Sequence, residues 1–179
     1  MPHPNDRATA APSADALARE CALAMLEGDR LARALGIELV EAGVGRASLA
    51  MTVGESMLNG FGTCHGGVLF TLADTALSCT CNSRNERTVA HHCSVIYLRP
   101  GEPGERLTAI ARERSTAGRV GIYDVSLKDS RGAAIGEFLG HTRTIGGPVL
   151  GGSVERETGG DAAPIESPRN ASPRPDRSA

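Results

Sequence analysis

From Val68 to Ser83 the chain carries a single charged residue, Asp74. Aspartate forms helix poorly away from the first turn, and a solvent-facing helix would usually carry several Lys, Glu or Arg. A lone carboxylate here is expected to face protein or a cleft, where its pKa and orientation can serve a general base or a nucleophile. The ordinary alternative is an exposed helical Asp. Eight positions earlier stands His65-Gly66-Gly67. Free N–H groups in the first turn of a helix form an anion site, and glycine lets a ligand approach the backbone closely. The same geometry would stabilise the oxyanion of an acyl-transfer intermediate. A tight loop-to-helix turn would need glycines equally.

The spacing couples the two features. Eight residues of helix span about 12 Å at 1.5 Å per residue, so Gly66 and Asp74 of one chain cannot both lie within about 3 Å of the same carbonyl carbon and oxygen. If both act in one reaction, they come from different chains, whose helices meet antiparallel across a two-fold axis and make two equivalent sites per dimer.

Asn59 precedes the helix in Met57-Leu-Asn-Gly60, where its amide could hold a carboxylate, donate to a carbonyl, or shape a turn. Ser78, one turn beyond Asp74, could hydrogen-bond the carboxylate or a water. Other chemistries fit less well. Neither Cys79-Thr-Cys81 nor the adjacent His91-His92 has structural-zinc spacing, and no Gly-x-Ser-x-Gly elbow is present. Cys64 beside His65 reads as a neutral thiol in a turn rather than a nucleophile.

The elements that would position these groups are legible in the periodicity. Val68, Leu69, Leu72, Ala73, Ala76 and Leu77 recur with helical spacing from just after Gly66-Gly67 to near Asn82. Asp15 is placed to cap a first helix that Gly28 interrupts, and Asp29 to cap a short second piece ending at Gly36. Ile37–Ala42 and Arg46–Val53 flank Gly43-Val-Gly45 as a hairpin, the second run alternating Ala47, Leu49, Met51 and Val53 against Arg46, Ser48, Ala50 and Thr52. Four more strand-like runs follow, at 89–98, 106–114, 119–128 and 133–145. The turn-rich links between them favour antiparallel neighbours. One apolar helix set against about six antiparallel strands is an α+β arrangement. The folded unit is expected over residues 15–147. The Pro-, Gly-, Ser- and charge-rich stretches 1–14 and 148–179 read as disordered tails.

Bulk properties narrow the function. A net charge of −2 with three Phe, two Tyr and no Trp offers neither a basic field nor stacking platforms, so no nucleic-acid partner is expected. No signal peptide and no run of roughly 18 apolar residues is seen, so no membrane partner is expected either. The five cysteines lack framework spacing and read as reduced thiols of a cytoplasmic protein.

The stretch from Met57 to Ala76, with Asn59, His65-Gly-Gly67 and Asp74 at these intervals, resembles the signature of the hotdog thioesterases of phenylacetate degradation, the (hydroxy)phenylacetyl-CoA thioesterase subfamily. The likeness continues through Ala34-Leu-Gly-Ile37, Cys81-Asn-Ser83, Tyr97-Leu-Arg-Pro-Gly101, Gly121-Ile-Tyr-Asp-Val125 and Ile145-Gly-Gly147, and so covers the expected domain and neither tail. It implies a hotdog fold, a curved antiparallel sheet of five to six strands wrapped around one long central helix, in a homodimer that commonly doubles to a homotetramer. Asp74 then corresponds to the catalytic acid and Gly66 to the N–H that polarises the thioester carbonyl from the partner chain. Asn59 and His65 correspond to the polar positions flanking that carbonyl, with Gly67 beside them and Ser78 as a helper hydroxyl. His91 stands where relatives more often carry small residues, and would alter substrate range if it reached the acyl tunnel. Arg99, Arg119 and Arg143 are candidates for the phosphates of CoA, since guanidinium matches phosphate geometry; each could equally be a solvated surface charge.

The expected activity is hydrolysis of an aryl-acetyl or medium-chain acyl-CoA to free acid and CoA. Thioesters are activated acyl groups, so neither a metal nor a cofactor is expected, CoA being part of the substrate. The rivals are a hotdog hydratase or dehydratase using His65, and a non-catalytic acyl-CoA-binding module.

Overall fold

Alternation and helical spacing become six strands and three helices in the computed structural model, which describes residues 13–151. The strands are β1 (Glu38–Gly43), β2 (Arg46–Thr52), β3 (Thr88–Tyr97), β4 (Arg106–Ala117), β5 (Val120–Lys128) and β6 (Ala134–Thr144), and the helices are α1 (Ala14–Gly28), α2 (Arg30–Ala34) and α3 (Gly66–Cys81). All pairs are antiparallel in the order β1-β2-β4-β5-β6-β3. α3 packs against every strand, which a flat sheet could not allow. The sheet bends around it, with bulges in β1, β3, β4 and β6; each extra residue increases local twist and bends its strand.

The helix seats closely because its inner stripe is small where the sheet is near. Leu69, Leu72, Ala73, Ala76 and Leu77 are all buried, facing Leu49, Met51, Leu107, Val125 and Leu127 from the central strands. On β6, a Cβ at Gly140 would stand 2.5 Å from Leu77 Cδ2, so only glycine lets that leucine in. The buried hydroxyls of Thr75 and Thr80 donate to the helix's own carbonyls, Thr71 O and Ala76 O, both at 2.8 Å, which spares them an unpaired buried polar atom. At the far end, Asn82 donates to Ser78 O and Thr88 O and accepts from Thr88 N–H at 2.8–2.9 Å. This buried amide locks the last turn of α3 to the start of β3, and so fixes the register of the helix against that strand.

Several local expectations are corrected. Asp15 does not cap α1. Ser13 does, accepting from Ala16 N–H at 3.2 Å, because the Asp15 carboxylate is drawn to Val44 N–H and Arg46 in the β1–β2 turn. Ala50, assigned to the open face of β2, is fully buried. The short link after β3 does not join neighbours: β3 pairs with β6, while β4 lies between β2 and β5. That link is instead stapled across the strand ends, with Leu98 N–H donating to Ile135 O, Cys64 N–H to Gly101 O and Gly104 N–H to Val53 O. The bend of the sheet around α3 is what makes so short a crossing possible. Asp29 caps α2 as expected, accepting from Leu31 and Ala32 N–H at 2.9 Å, and Gly36 takes the left-handed φ of +64° that ends it.

Of the expected tails, residues 1–12 and 152–179 lie outside the described residues. Residues 148–151 do not behave as a tail, because Val149 and Leu150 donate their N–H groups to Asn85 Oδ1 at 2.9 and 2.8 Å. Among the described residues no helix is long and apolar enough to cross a membrane.

Candidate active site

α3 carries its two chemical features at different places, the free amide on a cleft at its N-terminus and the acid on its flank. At its N-terminus His65 is the cap residue, and its Nδ1 accepts from Gly67 N–H at 2.9 Å. That bond needs an unprotonated Nδ1, which leaves the ring proton on Nε2. The Gly67 N–H is thereby used within the chain, whereas the Gly66 N–H has no acceptor among the described residues. Neither glycine has a positive φ, so what limits a side chain at these positions is space rather than conformation. A Cβ on Gly66 would meet the Tyr97 ring at 3.2 Å, and one on Gly67 would meet His65 Nδ1 at 3.1 Å. The amide left free at the start of a helix is a donor aimed outward, the arrangement suited to a developing oxyanion.

Gly66 opens onto a cleft of about 360 Å³, shared with Asn59, Cys64, Leu69, Tyr97 and Arg99. Asn59 is occupied in its own loop: Nδ2 donates to Thr63 Oγ1 at 3.0 Å, and Oδ1 accepts from Phe61 N–H at 2.8 Å and Thr63 N–H at 3.3 Å. It thus shapes the loop that walls the cleft, with Phe61 left 93% exposed at the tip. Arg99 lines the same cleft, but its Nε and Nη2 donate to Ala134 O at 3.1 and 2.8 Å. Burial pushes the Cys64 thiol up to about 11, so it is protonated near neutrality and unsuited to nucleophilic attack.

Asp74 is half-buried on the flank of α3. Loss of water raises its carboxyl above the ordinary 3.8, and the negative charge of Asp29 adds to this, with no cation or hydrogen bond offsetting either. The Cys93 thiol on β3 is raised by burial first and by the Asp74 charge second. Ser78, one turn beyond Asp74, lies on a cavity of about 400 Å³ between α1 and α3, whose wall also includes Met25, Asp29, Thr75 and Cys79. The sequence marks Asp29 only as a helix cap. Its second role emerges because the α1–α2 joint folds back over α3, a long-range placement that no local signal reports.

The remaining candidates stand apart from both clefts. His91 is the extra residue of the β3 bulge and is exposed, with its ring 6.4 Å from that of His141. Arg119 donates Nε to Thr144 O at 2.9 Å, in a groove at the C-terminal end of α3. Arg143 sits exposed on β6, in register with Val89 and Val120. Among the described residues no group of His, Cys, Asp and Glu converges as a metal site.

The raised carboxyl of Asp74 gives a signed pH dependence. If the ionised form is the active one, kcat/KM rises with pH through an apparent pKa above 3.8. Asp29→Asn keeps the helix cap and removes the nearby charge, so the acid limb of the profile moves toward lower pH. A limb that stays in place in this variant would show that Asp29 does not act on Asp74.

A six-stranded antiparallel sheet curled around one central helix is the arrangement of a hotdog domain. Residues 61–135 match the model of the family described as the thioesterase superfamily. The chain is 42% identical over 128 residues to the acyl-coenzyme A thioesterase PaaI of Escherichia coli (strain K12), covering 72% of this chain and 91% of that protein. The solved structure of the E. coli PaaI protein from the phenylacetic acid degradation operon superposes with a TM-score of 0.74 at 41% identity, over 76% of this chain and 99% of that one. The TT0310 protein of Thermus thermophilus gives a TM-score of 0.63 at 33% identity, over 65% and 98%. The chain belongs to the thioesterase superfamily, in its phenylacetate-degradation subfamily.

Proposed function

We propose that this protein hydrolyses acyl-CoA thioesters to free acid and CoA, at a site that each pair of subunits builds twice. The observation that carries the reading is the placement on the same helix, eight residues and about 12 Å apart, of one carboxylate and one amide that have no partner among the described residues. Asp74 of one subunit faces the thioester carbon, and the partner's Gly66 donates its N–H to the carbonyl oxygen. As the carbon becomes tetrahedral, negative charge gathers on that oxygen, and a fixed amide dipole in a water-poor cleft stabilises it. Asp74 either takes the proton from an attacking water or attacks the carbon itself to form an anhydride that water then opens. CoA thiolate departs in both cases. Support comes from the likeness to PaaI, which is named an acyl-coenzyme A thioesterase.

The pairing surface fits the edge strand β3, whose outer residues include the exposed Val89, Ile96 and Tyr97. A second copy joined there would continue the sheet and bring two α3 helices together, giving a homodimer as the working unit and a homotetramer when dimers pair. Asn59 and His65 frame the carbonyl end of the site, Ser78 assists at the acid, and Arg99 lies closest to the Gly66 cleft among the arginines proposed for the CoA phosphates. The acyl groups proposed are phenylacetyl, hydroxyphenylacetyl and medium-chain, and the proposed compartment is the cytoplasm. Release of free thiol from a panel of aryl, short, medium and long acyl-CoAs tests the reading. Turnover fastest with aryl-acetyl or medium chains supports it, and saturable binding without thiol release anywhere on the panel overturns it.

A further inference from the structure

We propose that Tyr97 is the positioning residue of the oxyanion donor, holding the first turn of α3 by a hydrogen bond to Gly66 and filling the space that only glycine leaves there. The inference rests on the role of Gly66 proposed above and adds the group that keeps its amide aimed.

The first turn of a helix has no carbonyls behind it to hold its N–H groups, so its orientation is free to fray unless something outside the helix fixes it. In this chain that tie comes from the end of β3. Tyr97 Oη donates to Gly66 O at 2.8 Å. The ring lies against the same residue, since a Cβ on Gly66 would stand 3.2 Å from Cζ and 3.3 Å from Oη. The Tyr97 hydroxyl is thus spent on a helix-start carbonyl.

The anchor is itself rigid. The next two residues donate their backbone N–H groups to Ile135 O at 2.9 and 3.2 Å, and the Arg99 guanidinium closes on Ala134 O at 2.8 Å. The segment from Tyr97 to Arg99 is thus pinned to β6, and the bond to Gly66 transmits that fixed position to the helix start. The Gly66 N–H shares its peptide plane with His65 O, which accepts from Val68 and Leu69 N–H at 2.9 and 3.2 Å. The Tyr97 bond holds the next plane through Gly66 O. The first turn that carries the N–H is therefore braced on both sides of the Gly66 Cα. A donor held in place before reaction needs no reorganisation as charge develops, so the hydroxyl acts on turnover rather than on ground-state binding.

Tyr97→Phe keeps the ring packing and deletes the hydroxyl. The expected result is a fall of about tenfold in kcat, equivalent to about 1.4 kcal/mol, with KM within about twofold. Binding of a non-hydrolysable thioether analogue of an acyl-CoA should be unchanged, and amide exchange at Val68 and Leu69, whose N–H groups donate to His65 O in the first turn, should be faster. A variant that turns over at the wild-type rate overturns this inference alone, as does a loss carried by KM with matching weakening of analogue binding. Unchanged exchange at Val68 and Leu69 overturns it independently of activity. A wild-type protein that releases no thiol from any acyl-CoA overturns the enzymatic reading, and this inference with it.

Discussion

Asp74→Asn lowers kcat for acyl-CoA hydrolysis by about 10²–10⁴-fold, the range that one positioned acid–base group supplies, and does so without unfolding the protein. The asparagine has the same shape on a helix flank that holds its place through Leu69, Leu72, Ala73, Ala76 and Leu77. Stability should rise rather than fall. Burial, helped by the charge of Asp29, lifts the folded-state pKa of Asp74 above its ordinary value. For an acid so shifted, the fold favours the protonated form. Its contribution is fully present below the unfolded pKa of about 3.9 and is lost as pH rises through the folded value. At neutral pH the ionised carboxylate therefore costs folding free energy, and Asp74→Asn removes that cost. Thermal midpoints at pH 7 should show the variant above wild type, with the gap closing below about pH 4. Steady-state thiol release together with these melts checks both halves. Near-normal turnover removes Asp74 from the chemistry, and a lower midpoint at pH 7 contradicts its strained burial.

Gly66→Pro is the second large effect. Proline is well accommodated at the first helical position, where the missing N–H breaks no intrahelical bond. His65 already has the extended backbone, φ −62° and ψ 134°, that a following proline requires. The substitution therefore deletes one N–H with the helix retained, at the cost of a small displacement of the Tyr97 ring, whose nearest atom is 3.2 Å from the new Cβ. Loss of a single oxyanion donor lowers kcat by about 10²–10³-fold. The measurement is kcat and KM on an acyl-CoA that the wild type turns over, with circular dichroism to verify the helix. A Gly66→Pro protein of near wild-type kcat would place the oxyanion elsewhere.

Much of the fold and site is readable in the sequence because it is written in local periodicity. α3 announces itself by an apolar stripe without charge, β2 by alternation, and α2 by Asp29 and Gly36 at its two ends. The isolation of Asp74 and the glycines at the helix start are visible for the same reason. What escapes depends on contacts between distant segments. Ser13 caps α1 because Asp15 is engaged by Val44 and Arg46, residues about thirty positions away. β3 lies at the sheet edge beside β6 because the sheet curls, and a short linker gives no sign of curvature. The reason for glycine at position 66 is the Tyr97 ring, 31 residues along the chain, and the sequence offers only the general idea that a ligand approaches there. Asn59, a candidate for direct contact with substrate, is bonded within its own loop.

The central claim is that the acid and the amide of one working site belong to different subunits. Co-expression of Asp74→Asn and Gly66→Pro chains under different affinity tags, with isolation of the doubly tagged dimer, tests it most directly. One of its two sites then pairs the Asp74 of the Gly66→Pro chain with the Gly66 of the Asp74→Asn chain, both intact. The predicted result is about half the wild-type activity per dimer, from one intact site of two, although each parent alone is nearly inactive. A mixed dimer no more active than its parents would place the chemistry within a single chain and contradict the account.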